Sequence, residues 1–114
     1  MKKKVLIICA QGMSSSLMAK KTTIYLQSNG HDIVIHATGV QDGKRRIENG
    51  EYDLYLVSPQ TKMYYKNLKE TGDRVGKPVV NIFPQAFVPV PTGIEKLGNL
   101  VLQELTKLEK KNSD

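Results

Sequence analysis

A chain of 114 residues with 39% hydrophobic and 25% charged side chains has the make-up of one globular domain, too short for two and without an apolar run of membrane-spanning length. Its net charge of +6 is spread over Lys2-Lys3-Lys4, Lys20-Lys21, Lys44-Arg45-Arg46 and Lys107, Lys110 and Lys111; with no Trp and no nucleic-acid motif, this reads as a solvated basic surface open to anionic partners, not as a nucleic-acid interface. A single cysteine excludes an intramolecular disulfide and a cysteine-rich metal site, and no Asp, Glu and His cluster has metal-ligand spacing.

Met1-Lys2-Lys3-Lys4 followed by Val5-Leu6-Ile7-Ile8-Cys9 has the outline of a signal peptide. The apolar run is too short for one, however, and Gln11, Gly12 and three serines follow at once. It predicts a buried first strand, Val5–Cys9, in a cytoplasmic protein with no direct membrane insertion. A helix from near Ser15 to Asn29 follows, with Leu17 and Ile24, and Met18 and Tyr25, recurring seven apart and Asn29-Gly30 as its stop. Ile33–Thr38 predicts the second strand. Val40–Asn49 predicts one or two turns of polar helix, interrupted by Gly43 and closed at Gly50. Leu54–Val57 is the third strand, after which Thr61 is placed to cap a helix to about Thr71, with Tyr64 and Leu68 four apart. The fourth strand is Val79–Phe83. Thr92-Gly93-Ile94-Glu95 then reads as a capping box, opening a last helix with Ile94, Leu97, Val101, Leu105 and Leu108 in one stripe. Lys107, Lys110 and Lys111 lie near the negative end of its dipole.

Strands that are almost continuously apolar suit a parallel sheet covered on both faces. Strand and helix in alternation predict an α/β three-layer sandwich with right-handed crossovers and a four-stranded parallel sheet. The order 2-1-3-4 puts the switch point between the first and third strands, so a ligand is expected at their C-terminal ends. Those ends are Cys9 and Val57-Ser58-Pro59-Gln60.

The segment Cys9-Ala10-Gln11-Gly12-Met13-Ser14-Ser15-Ser16 joins the first strand to the first helix. Gly12 permits a tight turn whose N–H groups point inward, and the helix that follows adds unpaired N–H groups and a positive dipole end. Such a concavity fits the oxygens of a phosphate, and Ser14, Ser15 and Ser16 can cap the helix or donate hydroxyls. A cysteine facing it would have its thiolate stabilised and act as a nucleophile. Judged alone, a cysteine ending an apolar strand is more often an inert core residue. The glycine and serine run behind it shifts the balance toward chemistry.

The loop C-A-Q-G-M-S-S-S after an apolar strand resembles the phosphorylation loop of IIB components of the lactose/cellobiose (chitobiose, lichenan) class of the bacterial phosphoenolpyruvate-dependent sugar phosphotransferase system. A second match is Ser58-Pro59-Gln60, where that family usually carries Gly-Pro-Gln. The similarity covers the whole chain in length and element order, 1–114. It implies a fold like that of the low-molecular-weight tyrosine phosphatases. It also implies a relay: a phosphohistidine IIA protein passes its phosphoryl group to Cys9, and Cys9 passes it to a sugar, cellobiose or a related β-disaccharide, held by a membrane IIC permease. The amides from Ala10 to Ser16 would hold the phosphate oxygens, with Ser58, Pro59 and Gln60 as second-loop contacts. No cofactor is implied, since phosphoenolpyruvate acts upstream. Two departures stand out. Ser58 replaces the glycine, and Ala86-Phe87-Val88-Pro89-Val90-Pro91-Thr92-Gly93 replaces the Tyr-Gly and acidic residue that the family often shows before its last helix.

A cysteine-dependent phosphatase is the nearest rival, but such loops carry an arginine six residues after the cysteine, where this chain has Ser15, and no Asp-Pro pair follows. A non-catalytic anion-binding or regulatory module of the same fold stays open. His31, in the Gly30-His31-Asp32 turn, reads as a solvated loop residue, and His36 as a strand polar group away from the site. Gln60 is either a contact of the Cys9 loop or a turn residue. Tyr64 and Tyr65 are candidates for an interface, where aromatics are enriched, with at least one expected to pack in the core. Lys44-Arg45-Arg46 is either a solvated face or a docking patch for an acidic protein, the former preferred.

Overall fold

The apolar run near the start of the chain forms β1 (Lys3–Ile8), one of the two inner strands of a four-stranded sheet. The computed structural model describes residues 2–10 and 12–112, and the side chains of that span other than those of residues 12–14, 111 and 112. After β1 come α1 (Gly12–Ser28), β2 (Ile33–Thr38), α2 (Val40–Asn49), β3 (Leu54–Val57), a 3-10 turn (Pro59–Tyr64) and α3 (Tyr65–Val75). The chain ends in β4 (Val79–Asn81), a short 3-10 turn (Pro84–Ala86) and α4 (Pro91–Asn112).

The sheet order is β2-β1-β3-β4 and every pairing is parallel, as expected. Lys3 pairs with Ile33 and Ile8 with Thr38 on one side of β1; Val5 pairs with Leu54 and Ile8 with Val57 on the other. Burial of β1 from both sides explains its unbroken apolar run. Val5 and Ile7 pack with Met18, Leu26, Leu97 and Val101 of α1 and α4, while Leu6 and Ile8 pack with Ile47 and Leu68 of α2 and α3. Burying each such side chain is worth about 1.5–3 kcal/mol relative to leaving it in water. Gly43 has its place here: a Cβ on it would stand 2.8 Å from Ile8 Cγ2, so the missing side chain lets α2 lie directly on the last residue of β1.

The departures from expectation lie at element ends and on one helix face. β1 stops at Ile8, one residue short of Cys9, and β4 stops at Asn81 instead of Phe83 because Pro84 opens a 3-10 turn and brings no N–H to a ladder. Among the described side chains of α1 the buried ones are Ser15, Met18, Ala19, Thr22 and Leu26. Leu17 and Ile24 form an outer line and are 42% and 55% exposed. A seven-residue recurrence marks any line along a helix, so it identified the Met18 and Tyr25 line without saying which of the two lines faces inward. Thr61 is not a helix cap. It is fully buried at a kink of the 3-10 turn (φ −115°, ψ 19°), and α3 begins at Tyr65 and runs to Val75. α4 begins at Pro91, so Thr92 lies inside the first turn and the capping-box frame is displaced. Proline suits that first position, where its missing N–H would have had no partner. Leu97, Val101 and Leu105 of the expected stripe are buried. Among the described residues no helix is long and apolar enough to cross a membrane.

Candidate functional site

Cys9 stands just beyond the tip of β1, between the tips of its two neighbours. Its N–H donates to the Thr38 carbonyl at the end of β2 (2.9 Å), while the Ile8 carbonyl before it accepts the Ser58 N–H beyond β3 (3.0 Å). The chain leaves the sheet there because α1 starts almost at once, at Gly12 and not near Ser15. Gly12 is therefore the first helical residue instead of the pivot of a longer turn. With that start, the amides of Gly12, Met13 and Ser14 have no partner inside the helix, whereas N–H groups from Ser15 onward enter its ladder. These first-turn amides and the positive dipole end thus lie within a few residues of the thiol. Gln11 and the side chains of Met13 and Ser14 lie outside the described residues. Ser15 is buried and Ser16 exposed.

The second expected loop reaches the first. The Cys9 thiol donates to Gln60 Oε1 at 3.4 Å, so Gln60 is a contact of the cysteine and not solely a turn residue. Cys9 itself is 1% exposed, buried more deeply than a residue facing an open concavity. Ser58, where a glycine was expected, has ordinary backbone (φ −66°, ψ 156°) and turns its hydroxyl inward to Thr61 Oγ1, 2.9 Å away.

Ala10 is exposed and lines a cleft of about 530 Å³ with Gly39, Val40, Gln41, Asp42 and Tyr64. Asp42 was not singled out from sequence. It occupies the first turn of α2, and its carboxylate is held down to about 2 by the Thr38 hydroxyl (2.7 Å) and by hydrogen bonds from Arg45 and Arg46. An acidic residue at a helix start followed three and four residues later by arginines was the available signal. Because Arg45 and Arg46 are engaged by Asp42, and Arg46 also by Glu51, the basic cluster is a partly neutralised face of α2.

Exposed apolar side chains stand at this same C-terminal end of the sheet. Met63 and Tyr64 follow β3; Phe83, Val88 and Val90 follow β4. In the divergent segment Ala86 and Gly93 are buried and Phe87 packs against the α1/α4 core, while residues 88–92 face solvent. Tyr65 packs on the α2/α3 core while Tyr64 does not. His36 is taken up by Tyr52, whose hydroxyl lies 2.9 Å from its Nδ1 with the rings edge to face.

The structure is thus a parallel α/β sandwich of phosphatase-like fold with a cysteine at its switch point, set just ahead of a helix N-terminus. The family model described as "PTS system, Lactose/Cellobiose specific IIB subunit" matches residues 4–96, and the chain belongs to that family. It is 33% identical over 72 residues to the oligo-beta-mannoside-specific EIIB component of the PTS system of Bacillus subtilis (strain 168), a match covering 63% of this chain and 68% of that one. Two solved structures share the fold. The lactose-specific IIB component domain from Streptococcus pneumoniae superposes with a TM-score of 0.77 at 20% identity, over 90% of this chain and 97% of that one. The cellobiose-specific phosphotransferase IIB component from Borrelia burgdorferi gives 0.69 at 22% identity, over 90% and 91%.

Proposed function

We propose that the chain, as a single cytoplasmic IIB domain, is a phosphocarrier that accepts a phosphoryl group on Cys9 from a phosphohistidine IIA protein and delivers it to a sugar held by a membrane IIC permease. The observation that carries this reading is the position of Cys9 at the sheet's switch point, ahead of the amides of Gly12, Met13 and Ser14, which have no partner inside the helix. In the first step the Cys9 sulfur attacks phosphorus in line; the S–P bond forms, the P–N bond breaks, and the histidine nitrogen leaves with the electron pair. The thiol proton, given to Gln60 in the resting state, departs with the leaving imidazole or to solvent. In the second step a sugar hydroxyl oxygen attacks phosphorus; the O–P bond forms, the S–P bond breaks with its electron pair going to sulfur, and the hydroxyl proton passes to solvent or to the released thiolate, restoring the resting thiol. Such transfers need positioning and charge stabilisation more than covalent help from the protein. Ala10 to Ser14 supply the amides, and Gln60, whose amide can turn its N–H end inward, follows the change from thiol to phosphorylated sulfur.

The position six residues beyond Cys9 is Ser15, buried, with no guanidinium to stabilise hydrolysis. That suits a phosphocysteine which persists until a partner arrives. Met63, Tyr64, Phe83, Val88 and Val90 surround the site end with exposed apolar surface suited to transient docking. The sugar is read as β-linked, cellobiose or a related disaccharide, because the similar proteins are named for oligo-β-mannoside, lactose and cellobiose.

The near-complete burial of Cys9 favours one second reading, an anion-binding module that does not transfer phosphate. Reconstitution separates the two. Phosphoenolpyruvate, the general phosphotransferase proteins, a IIA protein and membranes bearing a IIC permease should form phosphorylated cellobiose when this chain is added, and Cys9→Ser should abolish it. Sugar phosphate formed equally with Cys9→Ser would contradict the carrier reading.

A further inference from the structure

Gln60 is an exposed, flexible side chain, and such a residue has entropic reason to wander unless its backbone is fixed. The structure fixes it from the next residue. Thr61 and Ser58 are both fully buried, and their hydroxyl oxygens lie 2.9 Å apart. Thr61 Oγ1 is also 3.2 Å from the Ile8 carbonyl, which accepts the Ser58 N–H at 3.0 Å, and the Thr61 N–H donates to the Ser58 carbonyl at 3.1 Å. The Ser58 hydroxyl can donate to Thr61, and the Thr61 hydroxyl then donates between the Ile8 and Ser58 carbonyls, each 3.2 Å away, while the Ile8 carbonyl also takes the Ser58 N–H. Ile8 is covalently joined to Cys9, and Thr61 to Gln60. A buried polar knot therefore ties together the two segments whose next residues meet as the Cys9–Gln60 hydrogen bond. The 3-10 turn departs from helical backbone at Thr61 and at no other of its residues.

We propose that Thr61, with Ser58, is a positioning residue that holds Gln60 on Cys9, an inference that rests on Cys9 being the phosphorylated group. Neither hydroxyl contacts the thiol; both act through Gln60. In this chain the pair also gives Ser58 a role that a glycine at the same place could not fill.

The test uses the 114-residue chain, whose single cysteine makes alkylation by iodoacetamide, followed by intact mass, a report on Cys9 alone. Gln60→Ala, which frees the thiol from its acceptor, should speed alkylation about three- to tenfold, the range for releasing one hydrogen bond. Thr61→Val should give about a threefold rise in the native background and no further rise in the Gln60→Ala background, as coupled residues do. Thr61→Ser should restore the native rate. The proposal is overturned if Thr61→Val gives the same fold-change in both backgrounds, if it has no effect in the native one, or if Thr61→Ser behaves like Thr61→Val. Circular dichroism verifies folding, and if Thr61→Val does not fold the same cycle is run with Ser58→Ala under the same criteria. Because alkylation needs no phosphoryl donor, loss of carrier activity and loss of this coupling are separate results.

Discussion

Gly93 lies in the first turn of α4 and is packed against the turn that presents Val88 and Val90. A Cβ built there would stand 2.1 Å from the Val88 carbonyl oxygen, 3.0 Å from its carbonyl carbon and 3.2 Å from its Cβ. The nearest atom is backbone, so no side-chain rotation relieves the clash, and the turn must move by about 1 Å to restore van der Waals contact. The same oxygen accepts the Val90 N–H at 2.8 Å, and Val90 in turn accepts the Ile94 N–H at 2.9 Å, so the movement strains the entry to α4 as well. Overpacking costs about 1–3 kcal/mol, and a weakened hydrogen bond about 0.5–1.5 kcal/mol. Alanine returns at most about 1 kcal/mol of helix propensity. Gly93→Ala should therefore destabilise by about 1–3 kcal/mol, lowering Tm by roughly 4–15 °C for a chain of this size. Thermal melting by circular dichroism, with guanidinium unfolding as a second measure, reads the effect. An unchanged or raised Tm would refute the packing of Gly93 against Val88.

Three further outcomes follow from the structure. Thr22 is fully buried in the inner face of α1 and its hydroxyl has no hydrogen-bond partner, so Thr22→Val, equal in shape, should stabilise by about 1 kcal/mol in urea unfolding; a loss of stability would show that the hydroxyl is used. Tyr55 is fully buried, and its hydroxyl accepts the Tyr52 N–H (3.1 Å) and donates to the Arg46 carbonyl (2.9 Å). Tyr55→Phe leaves both groups without that partner and should cost about 1–3 kcal/mol; equal midpoints would contradict it. The Asp42 carboxyl is held at about 2 in the folded chain against an ordinary 3.8, first by the Thr38 hydroxyl and then by Arg45 and Arg46. A depressed acid contributes stability that is complete above its ordinary value and lost as pH falls through the folded one. Unfolding series between about pH 5 and pH 2 should thus show a shallower decline for Asp42→Asn than for the native chain; parallel declines would refute the ion cluster.

The parallel, doubly covered sheet was legible because β1 and β3 are apolar without alternation and are buried from both sides, whereas the edge strand β2 buries only Ile33 and Ile35, on one face. The same logic placed Cys9 and Gln60 at one corner before any distance was known. Periodicity could not choose between the Leu17 and Met18 lines of α1, since neighbouring lines of a helix share a period and differ only in what packs on them. Thr61 was misread because a threonine ahead of a helix has two outlets for its hydroxyl. Here it turns to Ser58 and to the carbonyl of Ile8, 53 residues away in sequence, and not to the amides of a following helix. Thr92 fell to a rival signal beside it, Pro91 at the first helical position. The Asp42 pairing with Arg45 and Arg46 was legible in their three- and four-residue spacing, but its bond to Thr38 becomes visible only when the end of β2 and the start of α2 are placed together.

The most direct measurement is intact mass of the chain after incubation with a phosphorylated IIA protein. The native protein should gain one phosphoryl group, localised to Cys9 by peptide mapping, and Cys9→Ser should gain none. A native chain that takes up no phosphate, or a Cys9→Ser chain that still does, would contradict the assignment of Cys9 as the phosphorylated residue.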